Sequence, residues 1–254
     1  MSGNSETIIT LLDSIGLTAW GVADLSILGE AGPRGYGSAL VMISELFPEG
    51  ELPTLESYDE QSYHAAELEA GRVLEGAAGE LCALLDSLGI RNVLISGQDE
   101  GSLSACFQQK TAATLAGLGW VGRNGMLVSP GVGPRLEMAT VLTAEGPRPG
   151  KPVTRSRCGK CRLCVEACPS RALKGGTWSP GCGRSALIDA FECDRWRRSH
   201  ILALGRKHAC ARCAVVCPVG RQALHRHRAG KRHPSLSLRA QPYYYYSDDL
   251  RKRT

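Results

Sequence analysis

The residues best suited to chemistry in this chain are its cysteines, of which there are eleven among 254 residues. One run ends in a proline and comprises Cys158, Cys161, Cys164 and Cys168. A second run also ends in a proline and comprises Cys210, Cys213 and Cys217. The first run has the C-x2-C-x2-C-x3-C-P spacing with which bacterial proteins hold 4Fe-4S clusters through thiolates. The sequence therefore predicts two 4Fe-4S clusters.

In this spacing the fourth cysteine of a run ligates the other cluster. Crossed ligation assigns one cluster to Cys158, Cys161, Cys164 and Cys217. The other cluster takes Cys168, Cys210, Cys213 and one remote cysteine, for which Cys182 and Cys193 compete.

Zinc and disulfide bonds are the alternative interpretations of so many cysteines. Zinc sites usually hold two well-separated C-x2-C pairs rather than four cysteines in one run that ends in Cys-Pro. Disulfide bonds need an oxidising compartment, which nothing in the sequence indicates. The cluster interpretation is therefore favoured.

The chain is long enough, and at 43% hydrophobic residues apolar enough, for one large domain and a small one. Its N-terminus has no basic region followed by an apolar stretch, and its apolar runs are too short to cross a bilayer. We therefore expect a cytoplasmic protein with no membrane partner, in a reducing environment that preserves thiolate ligands.

The net charge of +5 is a property of the C-terminal tail. Between Arg221 and Thr254, nine Lys and Arg stand against two Asp, and Tyr243 to Tyr246 form an aromatic run. Basic side chains can bind phosphates and aromatic ones can stack on bases, which would suit a nucleic acid such as tRNA. A solvated, disordered tail explains the same composition.

Hydrophobic periodicity predicts a mixed α/β domain over residues 1–150. Helices are expected within residues 8–15, 58–88 and 108–118, and strands at 19–23, 39–43, 93–95, 126–128 and 138–143. The Pro/Gly stretch 146–150 predicts a domain boundary. Residues 151–220 would form a small ferredoxin-like double 4Fe-4S domain, in which metal ligation substitutes for a large core, and 221–254 a flexible tail.

A glycine-rich segment, residues 110–125, contains Gly117-x-Gly119-x-x-Gly122, a formal match to the dinucleotide-binding fingerprint. That fingerprint needs a strand before the glycines and a helix after them. Here a helical stretch precedes and a strand follows, so we do not predict a Rossmann site. Glycines at this density favour tight turns and close approach to a bulky neighbour.

The segment from Lys110 to Asn124, the stretch Gly133-Pro134-Arg135 and the cluster domain together resemble the epoxyqueuosine reductase family. The stretch Asp189 to Cys193 resembles the part of that family that carries the remote ligand, which favours Cys193 over Cys182. The resemblance covers most of residues 1–220 and is weakest before residue 100.

This resemblance implies an α+β architecture: a nitroreductase-like cobalamin domain followed by the double-cluster domain. In the family, a low-potential donor of the ferredoxin or flavodoxin type supplies electrons through the clusters to a corrinoid. Low-valent cobalt then reduces the epoxide of a modified tRNA nucleoside. The cofactor-binding residues that the resemblance implies here are Lys110, Gly117, Gly119, Trp120, Gly122 and Asn124.

The sequence departs from the family at the catalytic aspartate, because the corresponding position holds Leu103. Asp99 is a nearby carboxylate that could supply a proton, and Cys106 is a second candidate. A loop residue and a packed small side chain, respectively, are the alternative interpretations. A short basic tail also stands where full-length reductases have helical repeats.

Three functions remain open at this point, of which one, a nucleic-acid-binding protein with structural clusters, rests on the basic tail alone. Another is an iron-sulfur oxidoreductase of the epoxyqueuosine reductase type, which the complete glycine loop favours. The third is an electron-transfer or corrinoid-reactivating protein without a substrate of its own, which the missing aspartate favours.

Overall fold

A four-stranded antiparallel sheet forms the centre of the computed structural model, which describes residues 3–31, 33, 35–48, 52–95, 107–201 and 210–221. Its strands, in chain order, are β1 (Ala19–Asp24), β2 (Ser38–Glu45), β3 (Asn92–Ile95) and a last strand at Leu136–Thr143. A separate two-stranded hairpin consists of β4 (Trp120–Val121) and β5 (Leu127–Val128), so the last sheet strand is β6. The spatial order is β1-β2-β6-β3.

Strand β2 is buried on both faces, and its alternating side chains divide the core in two. Ala39, Val41 and Ile43 pack on one side, against the face that carries the helix Gln109–Leu115. Leu40 and Met42 pack on the opposite side, against the helices Gly3–Ser14 and Glu60–Ser87. In chain order these helices are α1 (Gly3–Ser14), α2 (Glu60–Ser87) and α3 (Gln109–Leu115).

Helix α2 is long because its apolar positions recur at helical spacing, from Tyr63 through Leu74 and Leu81 to Leu85. It begins where the side chain of Asp59 accepts a hydrogen bond from the Ser62 amide at 2.7 Å. It ends before Gly89, whose φ of 67° is the left-handed conformation that closes helices. Among the described residues, no helix combines the length and apolarity needed to span a bilayer.

The expected helices and strands of residues 1–143 are all present, with shifts of a few residues at their ends. The α+β architecture is confirmed. In the glycine loop, helix α3 comes first and strand β4 follows, which is the reverse of the dinucleotide-binding order.

The cysteine segments contain only short helices, which are α4 (Leu163–Glu166), α5 (Ala190–His200) and α6 (Arg212–Val215). Short stretches of 3-10 helix lie at Ser26–Ala31, interrupted at Gly29, and at Arg184–Ala186. Among the described residues of the cysteine segments, few side chains are buried: Ala172, Leu173, Leu187, Ala211, Ala214 and Val215. The described residues of these segments therefore have little hydrophobic core of their own.

The expected boundary at residues 146–150 is packed against the sheet domain. The Gly150 amide donates to the carbonyl of Val22 at 2.8 Å, and the Val153 amide donates to the carbonyl of Thr114 at 2.8 Å. A Cβ at Gly150 would lie 2.2 Å from the Ala116 carbonyl oxygen. The chain thus enters the cysteine segments from a fixed position, and the domain limits of 1–150, 151–220 and 221–254 stay predictions.

Gly119 offers a test of this close packing, because a Cβ there would lie 2.3 Å from the carbonyl oxygen of Val128. We expect Gly119→Ala to lower the free energy of unfolding by about 1–3 kcal/mol, since backbone atoms of the β4–β5 hairpin must move. The decrease would appear as a lower melting temperature of the anaerobically purified protein.

The matched control is Gly76→Ala in α2, where nothing lies within 4 Å of the added methyl group. Alanine is the better helix former by about 0.8–1.0 kcal/mol, so the control should melt at the same temperature or higher. Equal effects of the two substitutions would contradict the close approach at Gly119.

Candidate metal centre

The first cysteine run is a chain of tight turns around the short helix α4. The Cys161 amide donates to the Cys158 carbonyl at 3.0 Å, and the Cys168 amide donates to the Val165 carbonyl at 3.3 Å. Cys161 is exposed, whereas the other three cysteines of the run are half-buried. Turns of this kind bring successive thiols toward one centre.

Cys193 lies in the first turn of α5, and the start of that helix is well fixed. The Asp189 carboxylate caps it by accepting hydrogen bonds from the amides of Phe191 at 3.1 Å and Glu192 at 3.0 Å. The Asp189 amide in turn donates to the carbonyl of Ala172 at 2.9 Å, next to the end of the first run. Capping and this backbone bond together position Cys193 beside the first run.

The second cysteine segment, residues 210–221, packs on the beginning of α2. Ala211, Ala214 and Val215 form one apolar cluster with Leu46 and Tyr63. The Ala211 amide donates to the Tyr58 hydroxyl at 2.9 Å, and the Arg212 guanidinium lies 5.5 Å from the centre of the Tyr58 ring. The sheet domain therefore determines where this segment sits.

Four thiols interact electrostatically with one another, and we call them the first group: Cys158, Cys161, Cys164 and Cys217. Burial, followed by the charges of the other three thiolates, raises the pKa of Cys164 to about 11. Burial likewise raises the pKa of Cys217, although the Val219 amide and Arg135 oppose this rise. Bound iron would offset both the burial cost and the mutual repulsion of these thiolates.

The remaining thiols that interact in this way are the second group: Cys168, Cys193, Cys210 and Cys213. Burial, followed by the charges of its neighbours, raises the pKa of Cys213. Cys213 also interacts with Cys164 of the first group, so the two groups are adjacent. This arrangement is the crossed grouping that the spacing predicts, and the individual ligand assignments stay predictions.

Cys182 stands apart from both groups. It is half-buried in a turn in which its amide donates to the Ser179 carbonyl at 2.9 Å, and it is not among the main causes of the pKa shifts of Cys164, Cys193, Cys210, Cys213 and Cys217. Over the described ranges, no three Cys, His, Asp or Glu side chains converge as the ligands of a single ion would. A cubic cluster holds its four thiolates farther apart than one zinc ion does.

A buried arginine from the sheet domain holds the second segment. Arg135 is 1% exposed, and its guanidinium donates to the carbonyls of Ala214 at 3.1 Å, Cys217 at 3.0 Å and Val219. Burial lowers the pKa of Arg135 to about 10, which leaves it charged at neutral pH. Gly133 also lies against the second segment, since a Cβ there would lie 2.2 Å from the Val219 carbonyl oxygen.

The glycine loop contacts both cysteine segments. The Arg123 guanidinium donates to the carbonyl of Gly159 at 2.8 Å, within the first run, and to that of Gly175. The Asn124 side chain donates to the Cys213 carbonyl at 3.3 Å and accepts from the Met126 amide at 3.2 Å. The loop is therefore a docking surface for the cysteine segments.

The glycines of this loop face the chain's own atoms. A Cβ at Gly117 would lie 2.7 Å from the Lys151 carbonyl oxygen, and one at Gly122 would lie 2.7 Å from Oδ1 of Asn124. Gly119, Trp120, Gly122 and Asn124 are buried, and Gly117 is half-buried. The prediction that these residues bind a corrinoid stays a prediction.

Lys110 supports the same loop from α3. Its ammonium group donates to the Gly125 carbonyl at 2.7 Å. Burial, followed by the nearby charge of Arg184, lowers the pKa of Lys110 to about 8. Lys110 is thus directed at the backbone of the glycine loop, and its predicted part in cofactor binding stays a prediction.

The candidates for proton donation, Asp99 and Cys106, lie outside the described residues, as does Leu103. The sequence analysis gave no role to Tyr58, Arg123 or Arg197. The sequence could have pointed to Arg197, because it follows Cys193 by four residues and so lies on the same face of α5. Tyr58 and Arg123 gave no local signal, because their partners are far away in sequence.

Two adjacent groups of four thiols beside an α/β domain define a class, the double-cluster iron-sulfur proteins. The family described as the 4Fe-4S double cluster binding domain matches residues 157–220. The two predicted 4Fe-4S clusters are therefore confirmed for this segment.

Within that class, the chain is similar to epoxyqueuosine reductase, as expected from its motifs. A segment of 127 residues, 48% of this chain, is 34% identical to the epoxyqueuosine reductase of Staphylococcus aureus and covers 31% of that protein. A segment of 69 residues, 26% of this chain, is 45% identical to the protein of the same name from a Synechocystis species and covers 22% of it.

Solved structures share the fold. An epoxyqueuosine reductase in complex with an epoxyqueuosine-modified tRNA-Tyr stem loop superimposes with a TM-score of 0.56 at 21% identity, over 85% of this chain and 65% of that one. A reductive dehalogenase, described as acting in B12-dependent dehalogenation, superimposes with a TM-score of 0.63 at 20% identity, over 90% of this chain and 34% of that one. The matched segment covers about a third or less of the length of the two curated relatives.

The cysteine grouping makes a direct prediction about the remote ligand. We expect Cys193→Ala to lower bound iron from about eight to about four per chain, or to destabilise the whole segment, because each cluster needs four thiolates. Iron and acid-labile sulfide would be counted after anaerobic reconstitution.

Cys182→Ala is the matched control, and it should retain about eight iron atoms per chain. Loss of iron in Cys182→Ala together with full iron in Cys193→Ala would exchange the roles of the two cysteines.

Proposed function

We propose that this protein is an iron-sulfur oxidoreductase of the epoxyqueuosine reductase type. It takes low-potential electrons from a donor of the ferredoxin or flavodoxin type and passes them through two clusters. The acceptor is a corrinoid or a substrate beside the glycine loop. The observation that carries this proposal is that Arg123, Asn124 and Arg135 connect the sheet domain directly to both cysteine segments.

Electron transfer benefits from this construction. The glycine loop contacts the backbone of Gly159 in the first run and of Cys213 in the second segment. An acceptor held beside the loop would therefore be close to both clusters, without a mobile linker between them. The protein would bind and orient, while the cofactors carry the chemistry.

For the clusters, the donor set fits, since eight thiols are arranged as two groups of four. For a corrinoid, the glycine loop has no open face, because Gly117, Gly119 and Gly122 already contact the chain. A feature that does favour a bound group is the Trp120 indole Nε1, which is buried and has no acceptor among the described residues. We therefore place the acceptor beside the loop, assign no loop residue as its ligand and derive no step through a corrinoid.

The charge distribution supports an anionic partner such as tRNA. Residues 151–220 carry fourteen Lys and Arg against four Asp and Glu, and the tail that follows is also basic. A reductase with the same fold forms a complex with a modified tRNA stem loop. Phosphates bind such surfaces by releasing counterions. A cytoplasmic location, where tRNA and reduced thiols occur together, is part of the proposal.

The second candidate is an electron-transfer or corrinoid-reactivating protein without a substrate of its own. Leu103 at the position of the family's catalytic aspartate favours this candidate. The packed glycine loop is compatible with it as well, because a loop that only docks the clusters needs no open face.

Anaerobic reconstitution with iron, sulfide and hydroxocobalamin tests the two candidates. For the reductase we expect about eight iron atoms per chain, stoichiometric cobalt with a base-off spectrum, and reduction of epoxyqueuosine in tRNA under a strong reductant. If the protein binds its full iron but no cobalt, and does not reduce the nucleoside, the electron-transfer protein would be favoured. Iron near zero would overturn both.

A separate prediction concerns the tail. Deletion of residues 222–254 should weaken tRNA binding and reduce the slope of log affinity against log salt, because eight Lys and Arg are removed. Arg221 is retained, since its guanidinium donates to the carbonyl of Pro53 at 2.7 Å. Affinity would be measured by titration with labelled tRNA at several salt concentrations.

The control for the deletion is a tail of equal length with those eight cations replaced by Gly and Ser. If the deletion left affinity and salt slope unchanged, the tail would have no part in RNA binding.

A further inference from the structure

Each cysteine group has an arginine beside it, Arg135 fully buried and Arg197 half-buried, and the two arginines come from different parts of the fold. Arg135 precedes β6 in the sheet domain and contacts the first group. Arg197 lies on α5, four residues after Cys193 of the second group, and its charge lowers the pKa of that thiol. Nothing in the chemistry proposed above uses either charge.

Arg135 is buried as a charge without a carboxylate partner. All three acceptors of its guanidinium are neutral backbone carbonyls, those of Ala214, Cys217 and Val219. None of the ion pairs within the described ranges includes it. A buried cation is costly unless a negative charge compensates it. The charge that most favours its protonated form is the thiolate of Cys217, a predicted cluster ligand whose carbonyl the guanidinium also binds.

Arg197 is placed by helical geometry. It follows Cys193 by four residues on α5, so both side chains lie on one face of the helix. Its Nε and Nη2 are buried and have no hydrogen-bond partner in the part of the chain that the structure describes. Burial raises the pKa of the Cys193 thiol, and the charge of Arg197 opposes that rise. Burial also raises the pKa of Cys210, and the Arg212 amide and charge oppose that rise more strongly than the charge of Arg197 does.

A neighbour on the same helix shows the contrast. Arg195 pairs with Glu192 at the surface, and its side chain is 72% exposed. Arg197 therefore differs from Arg195 in facing the cysteines rather than solvent. Charges screened by water act weakly over distance, whereas charges inside the protein act strongly.

We propose that Arg135 and Arg197 each set the reduction potential of one cluster, Arg135 that of the first group and Arg197 that of the second. On reduction, a cluster takes up one electron from the donor and gains one negative charge. A fixed cation beside it stabilises the reduced form and so raises the potential. Because the two cations lie beside different groups, each acts mainly on its own cluster. The inference rests on the clusters of the proposed function, and not on a corrinoid or on tRNA.

The experiment uses the full chain with both clusters, titrated anaerobically with dithionite and followed by EPR. We expect Arg135→Gln and Arg197→Gln each to lower the potential of one cluster, and each a different one. The expected change is about tenfold in the ratio of reduced to oxidised cluster, which is about 59 mV for one electron. Arg195→Gln is the matched control and should leave both potentials unchanged.

Arg135→Lys separates charge from structure. Lysine keeps the charge but loses the planar fork that reaches three carbonyls. We therefore expect a lower melting temperature, with the potential of the first cluster closer to that of the parent than in Arg135→Gln. If Arg135→Gln loses iron, Arg135→Lys and Arg197→Gln still test whether a nearby positive charge sets the potential of a cluster.

Three results would overturn the inference: unchanged potentials in both glutamine variants at about eight iron atoms per chain, the same cluster shifting in both, or an equal shift in Arg195→Gln. Iron near zero in the parent protein would instead overturn the proposed function. Shifted potentials without reduction of epoxyqueuosine would support this inference and leave only the electron-transfer candidate.

Discussion

The arrangement of this protein depends on hydrogen bonds between side chains of the sheet domain and the backbone of the cysteine segments. Those segments bury few apolar side chains, so packing alone does not fix them. Arg135 holds three carbonyls around Cys217, and Asn124 holds the carbonyl of Cys213. Tyr58 satisfies the Ala211 amide at the start of the second segment. The sheet domain thereby positions the backbone that carries the cysteine sulfur atoms.

The same dependence explains the density of glycine between residues 117 and 133. A docking surface made of backbone needs positions at which two chains can approach without side chains between them. Gly117 meets Lys151, Gly119 meets Val128 of β5, and Gly133 meets Val219 of the second cysteine segment. The glycines of this stretch thus let three parts of the chain pack closely together.

Elements with a local signal could be predicted from the sequence. The strands around Val22 and Val41 and the long helix through Leu74 follow from apolar periodicity, and the cysteine grouping follows from ligand spacing. Contacts between distant residues could not be predicted, because no local pattern records them. Arg135 and Cys217 are 82 positions apart, and Tyr58 and Ala211 are 153 apart. The role of the glycine loop as a docking surface belongs to this second kind.

Crossed grouping of the cysteines also constrains the order in which the protein can be made. The sheet ends at Thr143, so its strands leave the ribosome before any grouped cysteine does. The first group then lacks Cys217, and the second lacks Cys210 and Cys213, until almost the whole described chain has been synthesised. In a nascent chain the sheet domain can therefore fold while each set of four thiols is still incomplete. If these groups are the ligand sets of the two clusters, cluster insertion is a late event in biogenesis, after translation has passed Cys217.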